Sequence, residues 1–271
     1  MGRTSMSTAA ELRPLPEREE AVLLSLAMHR LLAFSQVRRL HFPDLSAPPA
    51  RRALARLEGR HLAGHFIEAT PIGRESVYYA TTEGFEVAAA TWPEIRKPRA
   101  GSVGARKLHH TIAVNEFCTR LVGEARERGH TFGPADWRNE EALKLPGGRL
   151  LVADAFIVYG FAGRWALRFL EMDLGTMPAM AVEEKYLRYV SLFRSGGWRR
   201  DYLRIPKVAT VVGGRNQSER LDRLVCAATL ARGRDGEPDL LFATADDVAG
   251  SGPLTDIWQW AGSEKRKAFL K

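Results

Sequence analysis

The stretch LLVADAFIVYGFAGRWALRFLEMD, residues 150 to 173, reads as two strands joined by a tight turn. Both LLVADAFIVY and RWALRFLEMD are rich in branched and aromatic apolar residues, and FAG between them is turn material. Successive side chains of a strand point to opposite faces, so Glu171 and Asp173 share one face while Met172 takes the other. By the same rule Val152, Asp154 and Phe156 share a face of the preceding strand, and Asp154 is not at a naturally solvated position. Neighbouring carboxylates repel unless a metal ion or a basic side chain sits with them, so these acids need a cation.

The flanking sequence supplies the rest of a sheet and its covering helices. KLHHTIAVNEFCTRLVGEARERG (107 to 129) is a helix, and TFGPADWRNEEALKL (131 to 145) is a further strand-like run closed by PGG. MAVEEKYLRYVSLFRS (180 to 195) places Val182, Tyr186, Tyr189, Val190 and Phe193 on one helical face. KVATVVG is then a strand, NQSERLDRLVCAATLARG a helix, and DLLFAT another short strand. The order helix, three strands, helix, strand is that of a restriction-endonuclease-like core, an α/β domain with a mixed sheet packed between helices. This order asks for an acid in the second strand and another in the third, which Asp154 and Glu171 provide. Together with Asp173 they form an oxygen-ligand set suited to Mg2+ or Mn2+, which polarises a phosphate and lowers the pKa of an attacking water. Glu140 or Glu141 is a candidate further ligand. The same acids also read as a structural network paired with Arg168, Arg164 or Lys185.

Residues before about 100 are built differently. EREEAVLLSLAMHRLLAF (17 to 34) has apolar residues at helical spacing and three acids in its first turn, where the helix dipole favours them. FSQVRRLHF (34 to 42) is a short helix, and SAPPARRALARLEGRHL (46 to 62) a third, opened by Ser46 and two prolines. A strand around His65 to Thr70, a turn with Pro71 and Gly73, a strand from Ser76 to Ala80 and a last helix after Thr82 follow. Helices followed by a hairpin is the order of a winged helix-turn-helix. In the third helix Ala50, Leu54 and Leu57 lie on one side, with Arg52 and Arg56 opposite and Arg51 and Arg60 flanking. A recognition helix needs this arrangement, because the apolar stripe seats it while outer arginines reach phosphates or guanine edges. Arg38 and Arg39 of the second helix and Arg74 at the hairpin tip complete the candidate DNA-binding set.

WPEIRKPRAGSVGARK (92 to 107) has two prolines, two glycines and five basic residues without an apolar period, as a linker has. The expected organisation is a flexible tail (1–16), a winged-helix domain (17–92), a basic linker (93–106) and a nuclease-like domain (107–271). Over the 271 residues, 45% hydrophobic and 27% charged content is that of a soluble globular protein, and a net charge of +8 favours a polyanionic partner. Cys118 and Cys226 both lie in apolar helical patterns, which excludes a disulfide framework or a cysteine zinc site and fits a reducing cytoplasm. No apolar run approaches the roughly 20 residues of a membrane span, and the first sixteen residues lack a secretion signal's apolar core.

The segments LHHTIAVNEF, WRNEEAL, VADAFIVY, FLEMDLGTMP, EEKYLRY and KVATVV, in this order after the winged-helix pattern, resemble the replication-relaxation family of bacterial plasmid and mobile-element proteins. The resemblance runs from about Glu17 to the end, and FLEMDLGT followed by the Lys and Tyr of EEKYLRY is its most specific part. It implies a winged helix joined to a domain similar to the PD-(D/E)XK nucleases, with a role in plasmid replication, DNA relaxation or gene regulation. The chain departs from the nuclease pattern at two places. Asp173 stands where a lysine is expected two residues after the third-strand acid, and Ala153 replaces the proline before Asp154. The missing lysine normally stabilises developing negative charge. Lys185, at the border of its helix's apolar face, is the candidate replacement.

Three functions from different classes therefore stand. One is a DNA-binding regulator or replication accessory factor that meets duplex DNA as a two-fold dimer, with replication or transcription machinery as further partners. The second is a Mg2+- or Mn2+-dependent endonuclease using Asp154, Glu171, Asp173 and Lys185. The third is a structural module that recruits other proteins and binds no DNA. No organic cofactor is expected, since GGRNQS (213 to 218) lacks the spacing of a nucleotide-binding loop and reads as a helix cap at Asn216. His110 falls on its helix's apolar side and reads as packed and hydrogen-bonded, His109 as the one that approaches the acids. Trp258 and Trp260 read as docking the C-terminus, the lysines after them as solvated.

Overall fold

Helix α1 (Glu17–His29) carries Glu17, Glu19 and Glu20 in its first turn and ends where Arg30 adopts φ 68, a left-handed conformation that no helix continues through. The computed structural model describes residues 14–95, 105–145, 148, 150–232 and 238–271. The helix expected over 17 to 34 is thus split. Leu32–Ala33 forms a short strand, β1, and Gln36 Oε1 accepts the Ala33 N–H at 3.0 Å to open α2 (Phe34–His41). Helix α3 (Ala47–Gly59) starts on its two prolines and buries Ala50, Ala53, Leu54 and Leu57. Strands β2 (Ala63–Thr70) and β3 (Gly73–Ala80) form a hairpin, and β1 adds to β3, giving an antiparallel sheet of order β1-β3-β2. Thr81 caps α4 (Thr82–Thr91) by accepting the Gly84 N–H at 3.1 Å.

The longer part of the chain begins with α5 (Ala105–Arg128). A seven-stranded mixed sheet follows: β4 (Trp137–Lys144), β5 (Leu150–Phe161) and β6 (Arg164–Asp173) as an antiparallel meander, then β7 (Lys207–Val212) and β8 (Leu240–Thr244) parallel to β6. Helices α6 (Ala179–Arg194) and α7 (Gln217–Arg232) make the crossovers, and α8 (Ala245–Ser251) follows β8. Two short strands, β9 (Trp258–Trp260) and β10 (Arg266–Lys267), extend the sheet antiparallel to order β10-β9-β8-β7-β6-β5-β4. Trp258 is fully buried against Phe117 and Phe269, while the Lys207 and Lys267 amines each lie 4.3 Å from the Trp260 ring. Lys267 is therefore engaged with an aromatic ring rather than simply solvated.

One face of the large sheet packs on α5 and the other on α6 and α7. The α5-side core runs without a break into α1, α2 and α3, joining Val22, Leu26 and Leu40 to Phe117, Leu121 and Trp137. Polar contacts fix this junction. Asn115 Nδ2 donates to the His29 and Leu31 carbonyls at 3.1 and 2.7 Å, Gln36 Nε2 to the Ile112 carbonyl at 2.9 Å, and His29 stacks on Trp137 with ring centroids 3.9 Å apart. Residues 1–13 of the expected tail and 96–104 of the expected linker lie outside the described residues. Among the described residues no helix is long and apolar enough to cross a membrane.

Candidate functional site

Strand β5 pairs with β4 from Leu150 to Ile157 but with β6 only from Ala155 onward, while β6 beyond Leu170 pairs with β7. The sheet therefore forks at Asp154, across from Glu171. Met172 N–H, which the departing strand leaves without a ladder partner on that side, is taken by Asp154 Oδ2 at 2.8 Å. The fork also shifts the alternation expected for β5. Leu151, Ala153 and Phe156 belong to the α6–α7 core, Ala155 and Ile157 to the α5 core, and Val152 is exposed. Val152, Asp154 and Phe156 thus do not share a face, because Asp154 turns into the gap between the strands. Glu140, on the β4 segment facing this point, takes φ 59.

Five side chains meet at the fork. Lys185 Nζ, from α6, donates to Glu171 Oε2 and lies 3.9 Å from Asp154 Oδ1. The Tyr189 hydroxyl, one turn further along α6, donates to Glu171 Oε1. From the other face, His110 Nε2 lies 3.1 Å from Asp154 Oδ2 and 3.1 Å from the Met172 carbonyl. It is His110, not His109, that approaches the acids; His109 Nε2 lies 3.9 Å from Glu68 on the β2–β3 hairpin. Lys185 thus places a cation beside Glu171.

Burial and the Asp154 charge push the Glu171 carboxyl up to about 8, against the pull of Lys185 and Tyr189. Burial opposes ionisation of Asp154 too, but the His110 hydrogen bond and the charges of Lys185 and His110 prevail and hold it below the ordinary carboxylate range. His110 and Lys185 are both raised, since their acid partners outweigh the cost of burying a cation. The site is a chain of coupled groups through the sheet, His110, Asp154, Lys185 and Glu171, with a buried proton-binding carboxylate at its end.

The other expected metal ligands are engaged elsewhere. Asp173 turns to α7, where Arg220 donates to both of its oxygens at 2.5 and 2.9 Å and Gly175 N–H adds a third bond at 3.0 Å. Glu140 pairs with Arg30 at 2.7 Å and Lys107 at 2.9 Å, and Glu141 accepts from Tyr202 at 2.9 Å. Arg168, an alternative partner for the acids, instead donates to the Leu167 and Phe269 carbonyls. The expected oxygen-ligand cluster of Asp154, Glu171, Asp173 and Glu140 is therefore not brought together. Among the described residues no group of three or more His, Cys, Asp and Glu side chains is placed to hold a metal ion. Protein donors take both Glu171 oxygens and both Asp173 oxygens, so a Mg2+ or Mn2+ ion at either acid would have to displace Lys185, Tyr189 or Arg220.

The arginines divide into two groups. Arg51, Arg52 and Arg56 are exposed along the outer face of α3, and Arg74 is exposed beside the β2–β3 turn. Arg51 lies 5.4 Å from the Phe34 ring centroid, while Arg56 Nε is 2.5 Å from the buried Glu19. Arg60 is half-buried at the end of α3. Arg38 donates to the Leu45 carbonyl at 3.3 Å. Arg39 faces inward, bonding Glu116 at 3.0 Å and Thr119 at 2.7 Å on α5, so it belongs to the junction and not to an outer surface.

Comparison with known proteins gives three findings. The chain is similar over 87% of its length to the restriction endonuclease FokI, at 13% identity and a TM-score of 0.30, and covers 43% of that protein's length. No curated protein matches it. The sequence pattern of the replication-relaxation family matches residues 23–208, a span that includes α3, the fork at Asp154, Glu171 and Lys185. The chain belongs to the replication-relaxation family.

Proposed function

We propose that this protein binds double-stranded DNA through α3 and the β2–β3 hairpin and serves a plasmid or mobile element as a replication or relaxation accessory factor or a transcription regulator. The observation that carries this reading is the division of α3 into a buried stripe, Ala50, Ala53, Leu54 and Leu57, and an outer row of Arg51, Arg52 and Arg56. The order helix, strand, helix, helix and hairpin supports reading residues 17–92 as a winged helix, and the forked mixed sheet supports reading residues 107–271 as a PD-(D/E)XK-type domain. In this reading the fork is a structural core element, because Lys185, Tyr189, His110 and Arg220 hold the acids.

A second reading, a divalent-metal-dependent endonuclease or nickase, is favoured by one observation: Asp154, Glu171 and Lys185 converge although they come from three separate elements. Incubation with supercoiled plasmid and Mg2+ or Mn2+ separates the two. The first reading predicts that the plasmid is retarded but stays supercoiled. Nicking that disappears in Lys185→Ala and in Asp154→Asn, with duplex affinity unchanged, would establish the second.

A further inference from the structure

Helices α6 and α7 lie side by side over the sheet, and their outer faces enclose a groove of about 490 Å³. Its floor and walls are Leu187 on α6 and Cys226, Ala227, Leu230 and Ala231 on α7. Leu187 is 54% and Leu230 78% exposed, and Met180, at the start of α6, is 80% exposed. Large apolar side chains this exposed cluster on no other helix pair among the described residues. Leu187 and Leu230 face each other across this groove, and covering it would remove both from water.

Charge identifies the occupant. Glu183 on α6 and Arg223 on α7 both line the groove, one on each wall. They are not paired with each other. Among the described residues Arg223 has an exposed acidic neighbour one turn back, Glu219, at 3.7 Å. Both helices are crossovers between parallel strands and therefore run in the same direction. A two-fold axis along the groove lays α6 of one copy over α7 of the other. Glu183 then faces Arg223 of the second copy twice, and Leu187 enters the groove beside Cys226 and Leu230. One patch thus carries both halves of a self-complementary contact, as an isologous interface requires.

We infer that the α6–α7 face is a homodimer interface, with a second copy of this chain as its occupant. It lies on the side of the large sheet away from α5 and residues 17–91, so pairing there leaves α3 of both copies free to meet DNA. The inference rests on no activity at the fork and stands whether or not the protein binds DNA.

Sedimentation of the full chain without DNA, between about 1 and 100 μM, tests it. The expected result is a species of twice the 30.2 kDa monomer mass that dissociates on dilution. Glu183→Arg and Arg223→Glu should each weaken the dimer at least about tenfold, by setting like charges opposite one another at two symmetric points. The double exchange should restore it. Cys118 is buried, so a short thiol cross-linker should join two chains through Cys226 alone, and Cys226→Ser should abolish the product. A monomer at every concentration would overturn the inference. So would a dimer indifferent to both charge reversals and to Leu230→Asp.

Discussion

Lys185 donates to Glu171 across the gap between α6 and β6, and the same ammonium lies 3.9 Å from Asp154 on β5. One side chain therefore serves two acids from separate strands at the point where the sheet divides. With its hydroxyl partner Tyr189 it fills both oxygens of a carboxylate whose residue is 5% exposed.

Removing the cation should expose how much of this is structural. Above about pH 8, where Glu171 is ionised, Lys185→Met leaves a buried carboxylate without its cation, a loss of about 3 kcal/mol in chemical denaturation. The pair Lys185→Met, Glu171→Gln should recover most of it, because a neutral amide still accepts from Tyr189. Equal losses in the single and double variants would mean that Lys185 contributes packing and not charge.

Glu171 itself predicts a pH dependence. Its folded pKa of about 8 lies above the ordinary 4.5, so folding favours the protonated form. Its contribution is fully present below about pH 4.5 and is lost as pH rises toward and through 8. His29 acts in the opposite direction. Buried against Trp137, its pKa falls from 6.5 to about 3, and stability that depends on the neutral ring is lost as pH falls through that interval. Denaturation series should show Glu171→Gln flattening the decline above pH 5, and His29→Phe flattening the decline on the acid side.

Arg39 and Arg52 should separate architecture from recognition. Arg39→Ala removes charge-assisted bonds to Glu116 and Thr119 and should cost about 2 kcal/mol of stability, with duplex affinity of the folded protein within about twofold. Arg52→Ala, on the exposed face of α3, should leave stability within about 0.5 kcal/mol and weaken DNA binding about tenfold.

Much of the fold is legible in the sequence because its signals are local. The apolar periods of α3, α5 and α6, the turn at Pro71 and Gly73, and the alternation of β6 each follow from neighbouring residues. Breaks caused by tertiary contacts are not legible. Nothing near Arg30 marks a helix end; α1 stops because Leu32 and Ala33 pair with Tyr78 and Val77 far along the chain. Likewise β9 and β10 are too short to show a period.

The site divides in the same way. Glu171 and Asp173 do share a face of β6, yet they go to different helices, because Arg220 is four residues into α7 and reaches Asp173 first. Lys185 at the border of its helix's apolar face is the readable signal of its role. His110 is harder to read, since its apolar neighbours on α5 conceal that the forked strand brings Asp154 within 3.1 Å. Arg39 looks like a surface arginine until Glu116, in another part of the chain, is seen beneath it.

Duplex binding followed by fluorescence anisotropy at two salt concentrations, for the full chain and for Arg51→Ala, Arg52→Ala, tests whether α3 carries DNA recognition. Arg56 is left intact because its loss would strand the buried Glu19. Recognition through α3 predicts saturable binding that weakens steeply with salt, and a variant that folds normally but binds at least about tenfold more weakly, with a salt slope reduced by about 2. Equal affinity and equal salt slope in both proteins would place recognition away from α3 and contradict it.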